Sequence, residues 1–177
     1  MKEMIKQKIR TVPDFPKKGI MFRDITTLLE DPVGFKICID DFYKQYKDKN
    51  IDLVVGIDSR GFILGGALAY LLGIGFVPVR KKGKLPSDTI EESYDLEYGS
   101  ATLEIHKDAI KKGKRVLIID DLLATGGTAL CAGSLVKKLG GDIVEYAFIV
   151  DLPELKGGER IKKTGASYYA QVAFDGH

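Results

Sequence analysis

The chain has 177 residues, a length that predicts one domain able to bury roughly 70% of its unfolded surface, so its core needs no staples. Hydrophobic residues at 45% and charged ones at 29% exclude a disordered chain, and 27 Lys plus Arg against 25 Asp plus Glu leave only +2, which excludes bulk-charge binding of nucleic acid or a membrane surface. Two distant cysteines, no CxxC and two histidines exclude a disulfide framework and a Cys/His zinc site.

Met1, Met4, Ile5 and Ile9 share one face of a short helix, which must end before Val12 because the residue preceding proline is pushed out of the helical region. Charge in this first segment stands where a signal peptide needs its apolar stretch, and no apolar run reaches the ~18–20 residues of a membrane span. A soluble, cytoplasmic protein with no membrane or nucleic-acid partner is expected. Residues 11–29 read as extended and turning, punctuated by Pro13, Pro16 and Gly19. Asp31-Pro32 is a helix start, with an acidic cap and proline at the first helical position. Phe35, Ile39, Phe42, Tyr43 and Tyr46 supply that helix's apolar stripe.

Element types then alternate. Residues 53–57 form an apolar run of strand length, 61–72 a small-residue helix stopped by Gly73, and 76–79 a second strand. Residues 81–94 are polar with little periodicity and are expected to form a long lid loop. Residues 94–98 and 101–105 read as a hairpin around Gly99-Ser100. Residues 116–119 are the strongest buried strand, followed by a glycine turn and a helix through Leu139 that Gly140-Gly141 stop. Strands over 143–150 and 168–174 complete the chain. Strands buried on both faces and alternating with helices predict an α/β fold with a central, mostly parallel sheet. Ligands in such sheets gather at the carboxyl ends of the strands.

The segment following the strongest strand carries the chemistry: Asp120-Asp121-Leu-Leu-Ala124-Thr125-Gly126-Gly127-Thr128. Bare glycines flanked by hydroxyls let successive backbone N–H groups converge on an anion at a helix N-terminus. Two carboxylates beside a phosphate cradle would repel the phosphate and need another partner. Vicinal sugar hydroxyls suit them, since each donates to a carboxylate. The block thus describes a ribose 5-phosphate site. Neither GxxxxGK[ST] nor a GxGxxG after a strand is present.

This segment resembles the phosphoribosyl-pyrophosphate (PRPP) signature of the type I phosphoribosyltransferases. Further blocks are similar to the adenine-specific branch of that family, in order and at matching spacing over residues 11–155. They are Asp14-Phe15-Pro16, Gly19-Ile-Met21-Phe22-Arg23-Asp24-Ile25, Gly56-Ile-Asp58-Ser59-Arg60-Gly61-Phe62, Arg80-Lys81-Lys82-Gly83-Lys84-Leu85-Pro86 and Leu96-Glu97-Tyr98-Gly99. The resemblance implies the type I phosphoribosyltransferase fold in a single domain over residues 1–177, with about residues 1–34 contributing a base-binding hood. It implies transfer of a phosphoribosyl group from PRPP to adenine, with Mg2+ held mainly by PRPP and water rather than by protein side chains, and a homodimer.

By the same resemblance, Ser59, Arg60, Arg80, Lys81, Lys84, Asp120, Asp121, Ala124, Thr125, Gly126, Gly127 and Thr128 bind PRPP, and the peptide between Asp58 and Ser59 is cis. Lys82 is left to solvent. Met21, Phe22, Arg23 and Leu152 bind adenine, the first and third through their backbone. Glu97 is the acid/base near the adenine, with Tyr98 beside it, and Arg60 is the second catalytic group. Neither histidine falls on a matched block. Two alternatives stand: a phosphoribosyltransferase for another purine base, which would differ only in the hood, and a PRPP-sensing regulator, which should carry a helix-turn-helix or a broad basic face.

Overall fold

The computed structural model describes residues 1–96 and 98–176. From the amino end come α1 (Lys2–Gln7), β1 (Arg10–Pro13), β2 (Met21–Asp24), α2 (Thr26–Glu30) and α3 (Pro32–Tyr46). The central run follows as β3 (Leu53–Ile57), α4 (Arg60–Leu72), β4 (Gly75–Lys81), β5 (Thr89–Asp95) and β6 (Ser100–His106). The rest is β7 (Arg115–Leu123), α5 (Gly127–Lys138), β8 (Asp142–Asp151), a 3-10 turn (Pro153–Leu155), α6 (Gly157–Lys163) and β9 (Tyr168–Ala173).

Seven strands form the main sheet in the order β5-β6-β4-β3-β7-β8-β9, and β1 pairs with β2 in a separate ribbon. The pairs β4–β3, β3–β7, β7–β8 and β8–β9 are parallel, while β6 runs antiparallel to both β4 and β5. The expected α/β architecture is therefore present. The apolar runs explain its centre: β3 and β7 are buried on both faces, as only a helix-covered sheet requires. One face packs Ile5, Phe42, Tyr46, Leu64 and Leu68 against Leu117, Ile119 and Ile149. The other packs Leu135, Val136 and Ile161 against Val116, Ile118 and Phe148. Each such side chain contributes about 1.5–3 kcal/mol on burial.

Asp31 caps α3 as its sequence predicts, accepting from the Val33 N–H at 3.1 Å. The small residues of α4 have a positional purpose. A Cβ on Gly61 would lie 2.8 Å from the Ile119 carbonyl oxygen, so only glycine lets the first turn of α4 settle onto β7. That approach carries Arg60 to the acidic pair.

Three local expectations need correction. Residues 11–29 are not wholly extended: α2 occupies Thr26–Glu30, started by Asp24, whose carboxylate accepts from the Thr26 N–H at 2.9 Å. The stretch 81–94 is not a continuous lid loop, because its second half is β5, paired residue for residue with β6 from Thr89↔His106 to Asp95↔Ser100. The hairpin is thus longer than its apolar residues suggest. The acids Asp120 and Asp121 do not leave the sheet, since β7 continues to Leu123.

Candidate active site

Parallel pairing of β3 with β7, with Gly56 opposite Ile119, brings the chain leaving β3 out beside Asp120 and Asp121. The Asp58–Ser59 peptide is cis, as the family resemblance implied. Ser59 is exposed at the start of α4. Arg60 Nε donates to Asp121 Oδ2 at 2.5 Å, and the Asp121 side chain is only 7% exposed. Burial works against the Arg60 charge, but the hydrogen bond and charge of Asp121, with Asp120 adding, outweigh it and raise the guanidinium further. Asp120 receives no such direct bond. Burial first, and the neighbouring Asp121 carboxylate second, raise the Asp120 carboxyl well above its ordinary value.

A cleft of about 190 Å3 opens here, lined by Arg60, both acids, residues 124–128 and Phe148. Gly126 adopts φ +86°, and α5 begins at Gly127, so the 124–128 turn precedes a helix N-terminus. The turn is held from behind. The Gly157 N–H donates to the Ala124 carbonyl at 3.1 Å, and Arg160 Nη1 donates to the Thr125 carbonyl at 2.7 Å. From the opposite side, the Tyr94 hydroxyl of β5 lies 2.9 Å from Thr128 Oγ1. Sequence reasoning missed Gly157, Arg160 and Tyr94. The Gly157-Gly158 pair was the available signal, because paired glycines opening a helix mark a close backbone approach.

The basic cluster is arranged around a different contact. Arg80 Nε donates to Asp58 Oδ2 at 3.1 Å, and its guanidinium stands 5.6 Å from the Phe62 ring centroid. Lys81 and Lys84 are exposed, and among the described residues neither lines the cleft of the acids. Lys82 is exposed but not free, pairing with Glu91 at 3.2 Å. The backbone N–H groups of Lys84 and Leu85 both donate to Glu104 Oε1, at 2.9 and 3.2 Å. Glu104 is another residue that sequence reasoning missed.

The β1–β2 ribbon carries three of the residues assigned to the base, Met21, Phe22 and Arg23, while Leu152 follows β8. Phe22 is half-buried and meets Phe15 edge to face at 5.2 Å. The Arg23 side chain turns to the carboxyl tail: it donates to Thr11 Oγ1 at 2.7 Å and to the Asp175 carbonyl at 3.3 Å, and stacks 4.4 Å from the Phe174 centroid. Two of its guanidinium nitrogens are thereby engaged, while its Nε is buried without a partner among the described residues. Met21 is exposed, and Leu152 is buried behind the Leu123 carbonyl, to which its N–H donates at 3.0 Å. Tyr98 is exposed beneath the Lys17 ammonium. Glu97 lies outside the described residues.

Comparison with known proteins bears on this arrangement. The pattern of the phosphoribosyl transferase domain matches residues 24–168. The chain belongs to the phosphoribosyltransferase family. It is 58% identical over 174 residues to the adenine phosphoribosyltransferase of Chlorobium limicola, covering 97% of this chain and 98% of that one. Identity to the adenine phosphoribosyltransferase of Chlorobaculum tepidum is 59% over the same coverage. Among solved structures, the adenine phosphoribosyltransferase of Rhodothermus marinus superimposes with a TM-score of 0.92 at 50% identity, covering 98% of each chain. That of Saccharomyces cerevisiae, complexed with D-2,5-dideoxy-2,5-imino-altritol 1,6-bisphosphate and adenine, gives 0.90 at 40% identity, covering 97% of this chain and 98% of that one. The fold is the type I phosphoribosyltransferase fold, with the small ribbon at its amino end.

Proposed function

We propose that the protein is a pentosyltransferase that moves the 5-phosphoribosyl group of PRPP to adenine, giving AMP and diphosphate in purine salvage. The observation that carries this reading is the cleft in which two carboxylates and Arg60 face a Gly-Gly turn at a helix N-terminus. In the proposed mechanism the 124–128 turn takes the 5-phosphate and Asp120 and Asp121 accept from the ribose hydroxyls. The sugar C1 passes through an oxocarbenium-like state as diphosphate departs, so the leaving oxygens need cations. Ser59, Arg60, Arg80, Lys81 and Lys84 are assigned to them. Adenine is held by Phe22, Leu152 and the backbone of Met21 and Arg23 in a hood of about residues 1–34. Glu97 acts as the acid/base at the departing base proton.

Magnesium, when bound, neutralises the diphosphate. Among the described residues no three His, Cys, Asp or Glu side chains converge on one point. On the proposed reading Mg2+ would be carried mainly by the substrate's oxygens and water, which is how it is usually bound beside phosphates. We place the protein in the cytoplasm, in keeping with two buried, free thiols; among the described residues no helix is long and apolar enough to cross a membrane. A homodimer is supported by the apolar hollow on the outside of α3 and α4, where exposed Tyr70 and Leu71 and half-buried Phe35 and Ala67 surround buried Ile39.

The deciding experiment incubates the protein with PRPP, Mg2+ and each purine base and follows nucleotide formation. AMP should form far faster than IMP or GMP. Comparable turnover of adenine, hypoxanthine and guanine would defeat the adenine assignment while leaving the PRPP site standing.

A further inference from the structure

Segment 82–88, between β4 and β5, is largely exposed, but its backbone is tied to β6 and to the turn that follows it. It is pinned at one end by the Lys82 N–H donating to the Thr102 carbonyl at 3.0 Å. At the other end the Lys107 N–H donates to the Asp88 carbonyl at 2.9 Å. Glu104 sits between the two pins. Its neighbours Leu103 and Ile105 face the apolar core, so strand alternation turns the Glu104 side chain to the opposite face, under the segment. It is only 4% exposed, yet it is a carboxylate. A buried charge persists where hydrogen bonds replace water. Here they come from the segment's backbone: Lys84 N–H at 2.9 Å and Leu85 N–H at 3.2 Å. Burial alone would raise the Glu104 carboxyl, but the N–H groups of Leu85, Lys84 and Gly83, with the Thr89 hydroxyl, outweigh it and hold the group ionised.

We propose that Glu104 is a positioning residue for diphosphate: by gathering the backbone N–H groups of residues 84 and 85 on one buried carboxylate, it fixes the point from which Lys84 reaches the leaving group. The inference rests on Lys84 being a diphosphate ligand. Carboxylate and ligand ammonium occupy opposite roles in one turn, the first holding the main chain and the second meeting the substrate. Cross-strand pairing places Glu104 opposite both Arg80 and Glu91, so the same strand position ties the segment to the β4 end that carries the other cations.

A double-mutant cycle tests this, read by titrating inorganic diphosphate with Mg2+ and by the KM values for PRPP and adenine. E104A should weaken diphosphate binding and raise the PRPP KM about tenfold, the scale of one lost charged hydrogen bond, with the adenine KM nearly unchanged. E104Q keeps the shape and one acceptor oxygen, so it should fall between E104A and the parent even where E104A folds poorly. K84A alone tests the underlying reading: unchanged diphosphate affinity would remove Lys84 from the site and the proposal with it. If K84A weakens diphosphate but E104Q and E104A do not, Glu104 is structural filler. The cycle decides the rest. E104A in the K84A background should add almost nothing, whereas independent, multiplicative losses would show that the carboxylate acts elsewhere and overturn the proposal.

Discussion

Adjacent positions on β7 give two aspartates different work, because Asp121 meets the Arg60 guanidinium directly and Asp120 does not. Asp121→Asn should therefore cost both PRPP affinity and stability, since it leaves a half-buried arginine without its partner, a change worth about 1–3 kcal/mol. Asp120→Asn should weaken PRPP while leaving thermal stability nearly intact or slightly raised. The sign follows from burial. The folded carboxyl of Asp120 ionises above the ordinary 3.8, so its contribution to stability is complete below that value and fades as pH rises through the folded one. The ionised form accepts more strongly from ribose hydroxyls, so PRPP affinity should climb over the same interval. Calorimetric titration of PRPP against pH should show that climb in the parent and not in Asp120→Asn. At this scale the acids and the 124–128 turn that line the cleft were legible because they follow an apolar run in one consecutive block. Glu104 and Gly157 were not. One looks like an ordinary alternating strand glutamate and the other like a loop glycine, and their partners lie 20 and 33 residues away.

Elements set where those residues stand. Helix α6 supports the 124–128 turn through Gly157, where an added Cβ would lie 2.4 Å from the Ala124 carbonyl oxygen. Gly157→Ala must push the turn away. We expect a loss of about 1–3 kcal/mol in stability and a higher PRPP KM, with the adenine KM nearly constant, checked by denaturant melts beside steady-state kinetics. At the amino end, Asp24 joins β2 to α2. Hydrogen bonds from Thr26 and then Arg10 lower its carboxyl from 3.8 to about 2. A depressed acid stabilises the fold above its unfolded value and loses that contribution as pH falls through the folded one. Asp24→Asn should cost about 1–2 kcal/mol at pH 7, discounted for the exposed Arg10, and the gap to the parent should close between pH 4 and 2 in chemical denaturation. The strands buried on both faces were readable from their apolar runs. Strand β5 was not, because its half-buried positions are Thr89, Ile90, Glu92 and Tyr94 and its exposed ones are polar, so its apolar period is too weak to mark a strand.

Across the whole molecule, the two faces of the sheet are closed by helices and the ligand end is left open. Part of the exposed apolar surface lies on the outside of α3 and α4, with Val33, Ile63, Leu71 and Tyr70, the last 85% exposed. Tyr70→Glu should shift the sedimentation coefficient toward that of the monomer while leaving the circular dichroism of the fold in place. A parent already monomeric at micromolar concentration would count against the dimer.

The Arg60–Asp121 pair has one further consequence. Because Arg60 is already paired with Asp121, an anion entering this cleft would exchange for a carboxylate rather than meet an open charge. A lone inorganic anion that draws off Arg60 strands a carboxylate that is almost fully buried. A ligand that brings hydroxyl donors along with its phosphates compensates both halves at once. On the proposed reading, this pairing would favour a sugar phosphate over simple inorganic anions before any part of the base is read.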